Sequence, residues 1–155
     1  NLVNRDAEVE LMPLCKEHGL GVVSYSPLAR GILSGKYKSG EPFPEGSRAA
    51  RNDVRMRQAE LRDESLDVAQ QLGDYCAKKG CATSHFALAW CLANPILTSV
   101  ILGPRTMEQF DDNLGCLNVE ITAEDEKFVD SLVPVGEHTG KGHQDPLYPI
   151  TGRGR

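Results

Sequence analysis

The chain of 155 residues lacks several things whose absence narrows the reading. No apolar run approaches the roughly 18–20 residues of a membrane span. The opening stretch NLVNRDAEVE has neither the basic start nor the apolar core of a signal peptide. The five cysteines, Cys15, Cys76, Cys81, Cys91 and Cys116, are an odd number without a Cys-x-x-Cys pair. They read as reduced thiols of a cytosolic protein, forming neither a disulfide framework nor a zinc site. Basic charge is not in excess: 17 Lys and Arg face 22 Asp and Glu, a net −5. That balance argues against a general binder of nucleic acid or anionic membrane. The four histidines, His18, His85, His138 and His143, have no i, i+4 partner or carboxylate pattern that predicts a metal site. Repeats and low-complexity tracts are missing too, and no Ser–His–Asp or paired-carboxylate arrangement can be argued from the order of residues.

What is present is an ordinary globular mix, 40% hydrophobic and 25% charged, in a length that suits one domain with a real core. A first helix is predicted over 6–18, N-capped by Asp6, with Val9, Met12 and Leu14 or Cys15 as its apolar stripe. Pro13 predicts a bend there, or a helix restarting with proline in its first turn. The β-branched and aromatic run 21–26 then predicts a buried strand ending at Pro27. Residues 29–57 keep no period and read as a long loop carrying four arginines at 48, 51, 55 and 57. Helices follow over 58–79 and over 83–93, the second capped by Thr83 or Ser84, apolar nearly all round and carrying Trp90 as a core residue. A second buried strand spans 97–102. Helices opened by Thr106 and Thr122 run to about 116 and 133. The Gly-, His- and Pro-rich tail from 134 reads as extended.

Two strands that are apolar throughout, each set between helices, predict an α/β fold with a parallel sheet covered on both faces. Two strands alone make no stable parallel sheet, so the chain reads as a piece of a larger α/β unit. A complete (β/α)8 barrel typically needs about 250 residues.

Two segments follow strand ends, where α/β proteins bind ligands. Gly31 to Lys36 is one residue short of a Walker spacing, with Tyr37 where the metal-binding Ser or Thr belongs. The segment 136–142 fails the same test. The first of these fits a non-Walker anion cradle or, equally, a tight turn. Gly103-Pro104-Arg105-Thr106 joins the second strand to a helix N-terminus, where free N–H groups and the dipole favour an anion. Arg105 adds a bidentate donor fork suited to phosphate. The bland alternative is a capping box in which Gln109 bonds back to Thr106. Tyr25, near the C-terminal end of its strand, can present its ring to a ligand.

The order NLVNR, GVVSYSPLARGILSGKY, FALAWCL and TSVILGPRTMEQFDDNL resembles the C-terminal half of the aldo-keto reductases. The resemblance covers most of 1–133, and PLYPITGR is similar to the tail of bacterial members. It implies that 1–155 is a partial aldo-keto reductase domain with 134–155 as its tail. It further implies the C-terminal part of a (β/α)8 barrel, with 21–26 as strand 7 and 98–102 as strand 8. The implied cofactor is NADPH. Tyr25 would stack on the nicotinamide, and Ser26, Pro27, Leu28, Ala29, Arg30 and Gly31 would line the pyrophosphate. Lys36 and Arg48 would reach over it from a closing loop. Gly103 and Arg105 would meet the 2′-phosphate, with Gln109, Asp112 and Asn113 along the adenine. Arg105 favours NADPH over NADH, because a guanidinium rewards the extra dianion.

The family's catalytic tyrosine, lysine, aspartate and histidine belong to the other half of the barrel, so no residue of this chain inherits a catalytic role and none a metal. The implied function is NADPH-dependent reduction of an aldehyde or ketone in the cytoplasm by a longer parent protein. The partners implied are a small carbonyl substrate and the N-terminal half of the barrel, with no nucleic acid or membrane. The alternative is a non-catalytic nucleotide-sensing or regulatory subunit, because potassium-channel β-subunits share the SPLxxGxLxGKY pattern.

Overall fold

A computed structural model describes residues 1–140. Its elements are α-helices joined through two short parallel strands. A 3₁₀ turn at Asp6–Glu8 leads to α1 (Leu11–Glu17), then β1 (Val22–Ser24) and a second 3₁₀ stretch at Ala29–Ser34. Next come α2 (Val54–Ala59), α3 (Asp63–Lys79), α4 (Thr83–Ala93) and β2 (Leu97–Val100). The order closes with α5 (Met107–Leu114), a 3₁₀ turn at Gly115–Asn118, and α6 (Ala123–Leu132).

β1 and β2 pair in parallel, with Val22 opposite Leu97 and Ser24 opposite Val100. The register slips once, between Val22 and Val23. There the Val22 N–H donates to the Thr98 hydroxyl at 3.1 Å, so a side chain joins the ladder. Both strands are shorter than the sequence suggests, and they are not buried on both faces. Val23 is 53% exposed and Ile101, just past β2, is 55% exposed. The reason is physical: two strands leave a free edge on each side and too little sheet to cover.

The first predicted helix divides in two. Asp6 opens the 3₁₀ turn instead of capping a helix, and α1 restarts at Leu11 with Pro13 inside its first turn, where its missing N–H costs nothing. Of the expected stripe only Met12 is buried, while Val9, Leu11 and Leu14 stand open. The long loop contains the short helix α2, N-capped by Asp53, whose carboxylate accepts from the Met56 N–H at 2.8 Å. Consequently α3 begins at Asp63 and not at 58. Helix α4 spans the expected residues, but Ala82 is its N-cap, without a side-chain bond.

The core gathers around α4, whose Phe86, Ala87 and Trp90 are buried in one cluster with Ile32, Leu33, Met56, Leu72 and Val129, while Leu88 and Ala89 are buried in a second with Cys116. Helix α4 is apolar all round because it is covered on most sides. The Trp90 indole N–H donates to Glu126 at 2.9 Å, and the Arg5 guanidinium lies 5.2 Å from the Trp90 ring centroid. Arg5, 5% exposed, also bonds Asp130 and the Val133 carbonyl at 2.7 Å each. Its carboxylate partners outweigh the desolvation that burial imposes and raise its pKa above the usual value. The tail up to 140 crosses this N-terminal segment. Thr139 N–H donates to the Val3 carbonyl at 3.0 Å, and Arg5 N–H to that of Glu137 at 2.9 Å. The remainder of the tail, including His143 and PLYPITGR, lies outside the described residues.

Tyr37 is 1% exposed, packed edge-on against Phe43 at 5.8 Å. Its buried hydroxyl has no hydrogen-bond partner among the described residues. An unpaired buried hydroxyl costs free energy without return. Tyr37→Phe is therefore expected to leave stability unchanged or raise it by up to about 1 kcal/mol, measured by denaturant unfolding of the whole protein. A loss of 2 kcal/mol would show that the hydroxyl has a partner.

Candidate functional site

The parallel pairing sends the chain out of β1 and β2 at the same end of the sheet. The Ile101 N–H still donates to the Ser24 carbonyl at 2.8 Å, so the two exits leave side by side. Tyr25 stands at the first exit, 72% exposed.

Beyond it the backbone is strained. Ser26, Ala29 and Arg30 take left-handed φ values of 51°, 45° and 54°. Non-glycine residues adopt this region at a cost, and such residues concentrate at functional turns. Leu28, at φ −93° and ψ 16°, precedes the left-handed Ala29, and the Gly31 N–H closes the turn by donating to the Leu28 carbonyl at 2.8 Å. The turn is fixed from several sides. Ser26 accepts from the Ala29 N–H at 2.8 Å. The Asn1 side-chain amide donates to the same carbonyl at 3.1 Å, while its own oxygen takes the Val3 and Asn4 N–H groups. Pro27 and Ala29 are buried beneath.

Gly31 completes the turn at φ 98°, and a Cβ there would stand 3.0 Å from the Lys36 ammonium. Lys36 is thus folded back over the glycine, with its charge 5.1 Å from the Tyr37 ring centroid. A bulkier residue at 31 would displace it. Segment 29–62 holds eight Lys and Arg against four Asp and Glu, in a chain whose net charge is −5.

Arg30 is engaged elsewhere. Its Nε lies 2.7 Å from Glu60 Oε2, at the end of α2, and both side chains are largely buried. Burial raises the Glu60 carboxyl above its usual range, and the Arg30 charge only partly offsets this. At the strand exit Arg30 offers its backbone, and its side chain ties the turn to the loop's return. Arg48 is exposed.

At the second exit Gly103 is open, with no atom of the described residues within 4 Å of where a Cβ would stand. Arg105 is exposed, and its guanidinium has no ion-pair partner among the described residues. Thr106 caps α5, its hydroxyl accepting from the Gln109 N–H at 3.2 Å. The Gln109 side chain accepts from the Arg105 N–H at 2.8 Å, one residue ahead of the expected partner Thr106. Gln109 therefore braces the loop that carries Arg105. Asp112 meets the His85 ring at 3.2 Å, and Asn113 is buried in α5.

Of the site residues named from sequence, 25–31 with Lys36 follow the first strand exit and 103–113 follow the second, while Arg48 makes no hydrogen bond or ion pair with either group among the described residues. Two braces, Asn1 on Ser26 and Glu60 on Arg30, were missed. Neither has a local signal, because each pair is distant in sequence. Among the described residues no group of three or more His, Cys, Asp or Glu side chains converges as a metal site would, and no helix is long and apolar enough to cross a membrane.

This is an α/β protein with paired loop sites at the ends of adjacent parallel strands. The family model described as Aldo/keto reductase family matches residues 1–134, and the chain belongs to that family. It is 34% identical over 146 residues to the uncharacterized oxidoreductase YrpG of Bacillus subtilis, covering 94% of this chain and 40% of that protein. It is 36% identical over 121 residues to a probable voltage-gated potassium channel subunit beta of Oryza sativa, covering 77% of this chain and 37% of that one. A probable aldo-keto reductase 1 of Glycine max is 32% identical over 147 residues, with coverage of 95% and 42%. The chain spans about two fifths of the length of these curated relatives.

Proposed function

We propose that this chain is the dinucleotide-binding portion of an NADPH-dependent oxidoreductase that reduces an aldehyde or ketone to an alcohol. In this reading β1 and β2 are strands 7 and 8 of a (β/α)8 barrel, the strands after which barrel phosphate sites form. The observation that carries it is the strained, basic turn after β1 beside Arg105 after β2, which is exposed and has no ion-pair partner among the described residues. These residues fit the cofactor: an exposed ring, a turn with a folded-back lysine, and an exposed guanidinium close in sequence to Gly103.

Tyr25 holds the nicotinamide face, and the turn 26–31 with Lys36 takes the pyrophosphate, with Arg48 above it. Gly103 and Arg105 take the 2′-phosphate, while Gln109, Asp112 and Asn113 border the adenine. When bound, the nicotinamide supplies the hydride that reduces the carbonyl. This chain contributes orientation and charge, and the proton donor belongs to the remainder of the barrel. Two features support a missing remainder. Among the described residues both outer edges of the two-stranded sheet are unpaired. Apolar side chains stand open on both flanks, Leu11 and Leu14 on α1 and Met107 and Leu114 on α5. The groove of about 720 Å³ along β1, between Asn4, Val22 and Trp90, is assigned to that remainder.

Turnover of a generic aldehyde with NADPH by the whole protein tests the reading. Tight NADPH binding without turnover would favour the second reading, a nucleotide-sensing subunit, which the similarity to the potassium channel subunit beta supports. Absence of NADPH binding would overturn both.

The loop 32–57 is proposed to close over the dinucleotide, latched by Arg30 and Glu60, which makes cofactor release slow. Glu60→Ala removes a charge-assisted hydrogen bond and is expected to speed NADP⁺ release on the order of tenfold, as read by stopped-flow fluorescence. An unchanged rate would detach the latch from release.

A further inference from the structure

The C-terminal end of α3 brings two thiols together. Gly80 takes the left-handed conformation at φ 80°, and the N–H groups of Gly80 and Cys81 both donate to the Cys76 carbonyl, at 2.8 and 3.1 Å. The six-to-one bond from Cys81 is the mark of a Schellman ending, which turns the residue after the glycine back onto the side chain three positions inside the helix. An apolar contact ordinarily fills that place. Here both residues are cysteines, and Cys81 packs against the core cluster that holds Cys76. Cys76 is 1% exposed in the main core, while Cys81 is half-buried at its rim.

We propose that Cys76 and Cys81 are an oxidisable dithiol that peroxide closes into an intramolecular disulfide. This site is independent of the cofactor reading. The asymmetry of the pair sets the order of events. Burial, reinforced by Cys81, pushes the Cys76 thiol up to about 12, so it stays protonated while Cys81 meets the oxidant. The Cys81 sulfur attacks one peroxide oxygen, the O–O bond breaks, and the departing hydroxide takes a proton as water. The sulfenic acid left on Cys81 is then attacked by the Cys76 sulfur. The S–S bond forms, the S–O bond breaks, and the second hydroxide leaves as water with the Cys76 proton. Two thiols lose two electrons and two protons, and one peroxide becomes two waters. Helix α3 is not unwound by this closure, because the ring it makes follows a turn that already exists.

The test treats the whole protein with about one equivalent of hydrogen peroxide, blocks remaining thiols with N-ethylmaleimide, and digests with trypsin without reduction. Lys78 and Lys79 lie between the two cysteines, so the bond leaves peptides 63–78 and 80–105 joined, with Cys91 carrying the maleimide. Joined peptides that fragment to a Cys76–Cys81 link, and separate on reduction, are expected. Cys81→Ser is expected to remove the joined species. Two separate peptides with maleimide or sulfinic acid at Cys81, or a link from Cys76 to Cys91, would overturn the proposal. The mapping on the unaltered sequence decides the matter even if the variant does not fold.

Discussion

Replacing Arg105 by alanine in the whole protein is expected to weaken NADPH binding by about 10- to 100-fold, the worth of one or two hydrogen bonds to a charged group. NADH binding is expected to change by less than about twofold, because NADH lacks the phosphate that the guanidinium would hold. The geometry makes the comparison clean. Arg105 is exposed without an ion-pair partner among the described residues, so its loss breaks no ion pair among them. The brace on its loop is the Gln109 side chain bonded to the Arg105 backbone N–H, which alanine retains. Parallel titrations of NADPH and NADH by fluorescence, at one salt concentration, check the prediction. Equal losses for both cofactors would mean that Arg105 shapes the loop without reading the phosphate.

The largest stability effect is expected at Asp125, far from the strand ends. Asp125 is 1% exposed and accepts from Tyr75 at 2.7 Å and Lys79 at 2.8 Å. It also takes the Thr122 N–H at 2.6 Å and completes a reciprocal capping box at the start of α6. Tyr75 in turn stacks on Phe128 at 3.9 Å, so the cluster pins α6 to α3. A tyrosine and a lysine on one aspartate resemble an acid–base group, but here the tyrosine hydroxyl keeps its proton and donates it in a hydrogen bond to the carboxylate. That hydrogen bond, with burial, raises Tyr75 to about 12. Burial alone would raise Asp125; the bonds from Lys79, Thr122 and Tyr75 outweigh it and hold its pKa at about 2.

Asp125→Ala is expected to cost about 2–4 kcal/mol, since Lys79, Tyr75 and the helix start all lose their acceptor. The pH dependence follows from the signs. A carboxyl depressed from 3.8 to about 2 contributes about 2–3 kcal/mol that is complete above pH 4 and disappears as pH falls through 2. Tyr75 works from the other side: its raised pKa gives stability present below pH 10 and lost as pH rises through 12. Guanidinium unfolding of the whole protein across pH checks both limbs. A variant as stable as the wild type would show that the cluster is ornamental.

Local grammar was the legible part of this chain. Thr122 with Asp125, Thr106 with Gln109, and the all-apolar run 83–93 each carry their signal within a turn or two of helix, and each helix is present. The strands were legible as positions but not as environments. Val23 and Ile101 were expected to be buried, and both stand more than half exposed, because burial depends on layers that two strands cannot supply. Helix α2 was hidden inside an aperiodic basic stretch, where only Asp53 marks its start. The site divides along the same line. Tyr25, the glycines and Arg105 could be named from strand ends and turn chemistry. The left-handed strain at Ser26, Ala29 and Arg30 has no glycine to announce it, and the braces from Asn1 and Glu60 join residues 25 and 30 positions apart.

In the proposed function the two strand exits hold one dinucleotide. Hydrogen–deuterium exchange of the whole protein along an NADPH titration tests this. Peptides covering 25–36 and 103–109 are expected to slow together, with the same saturation. Protection of one segment alone, or of neither while NADPH binds, would contradict it.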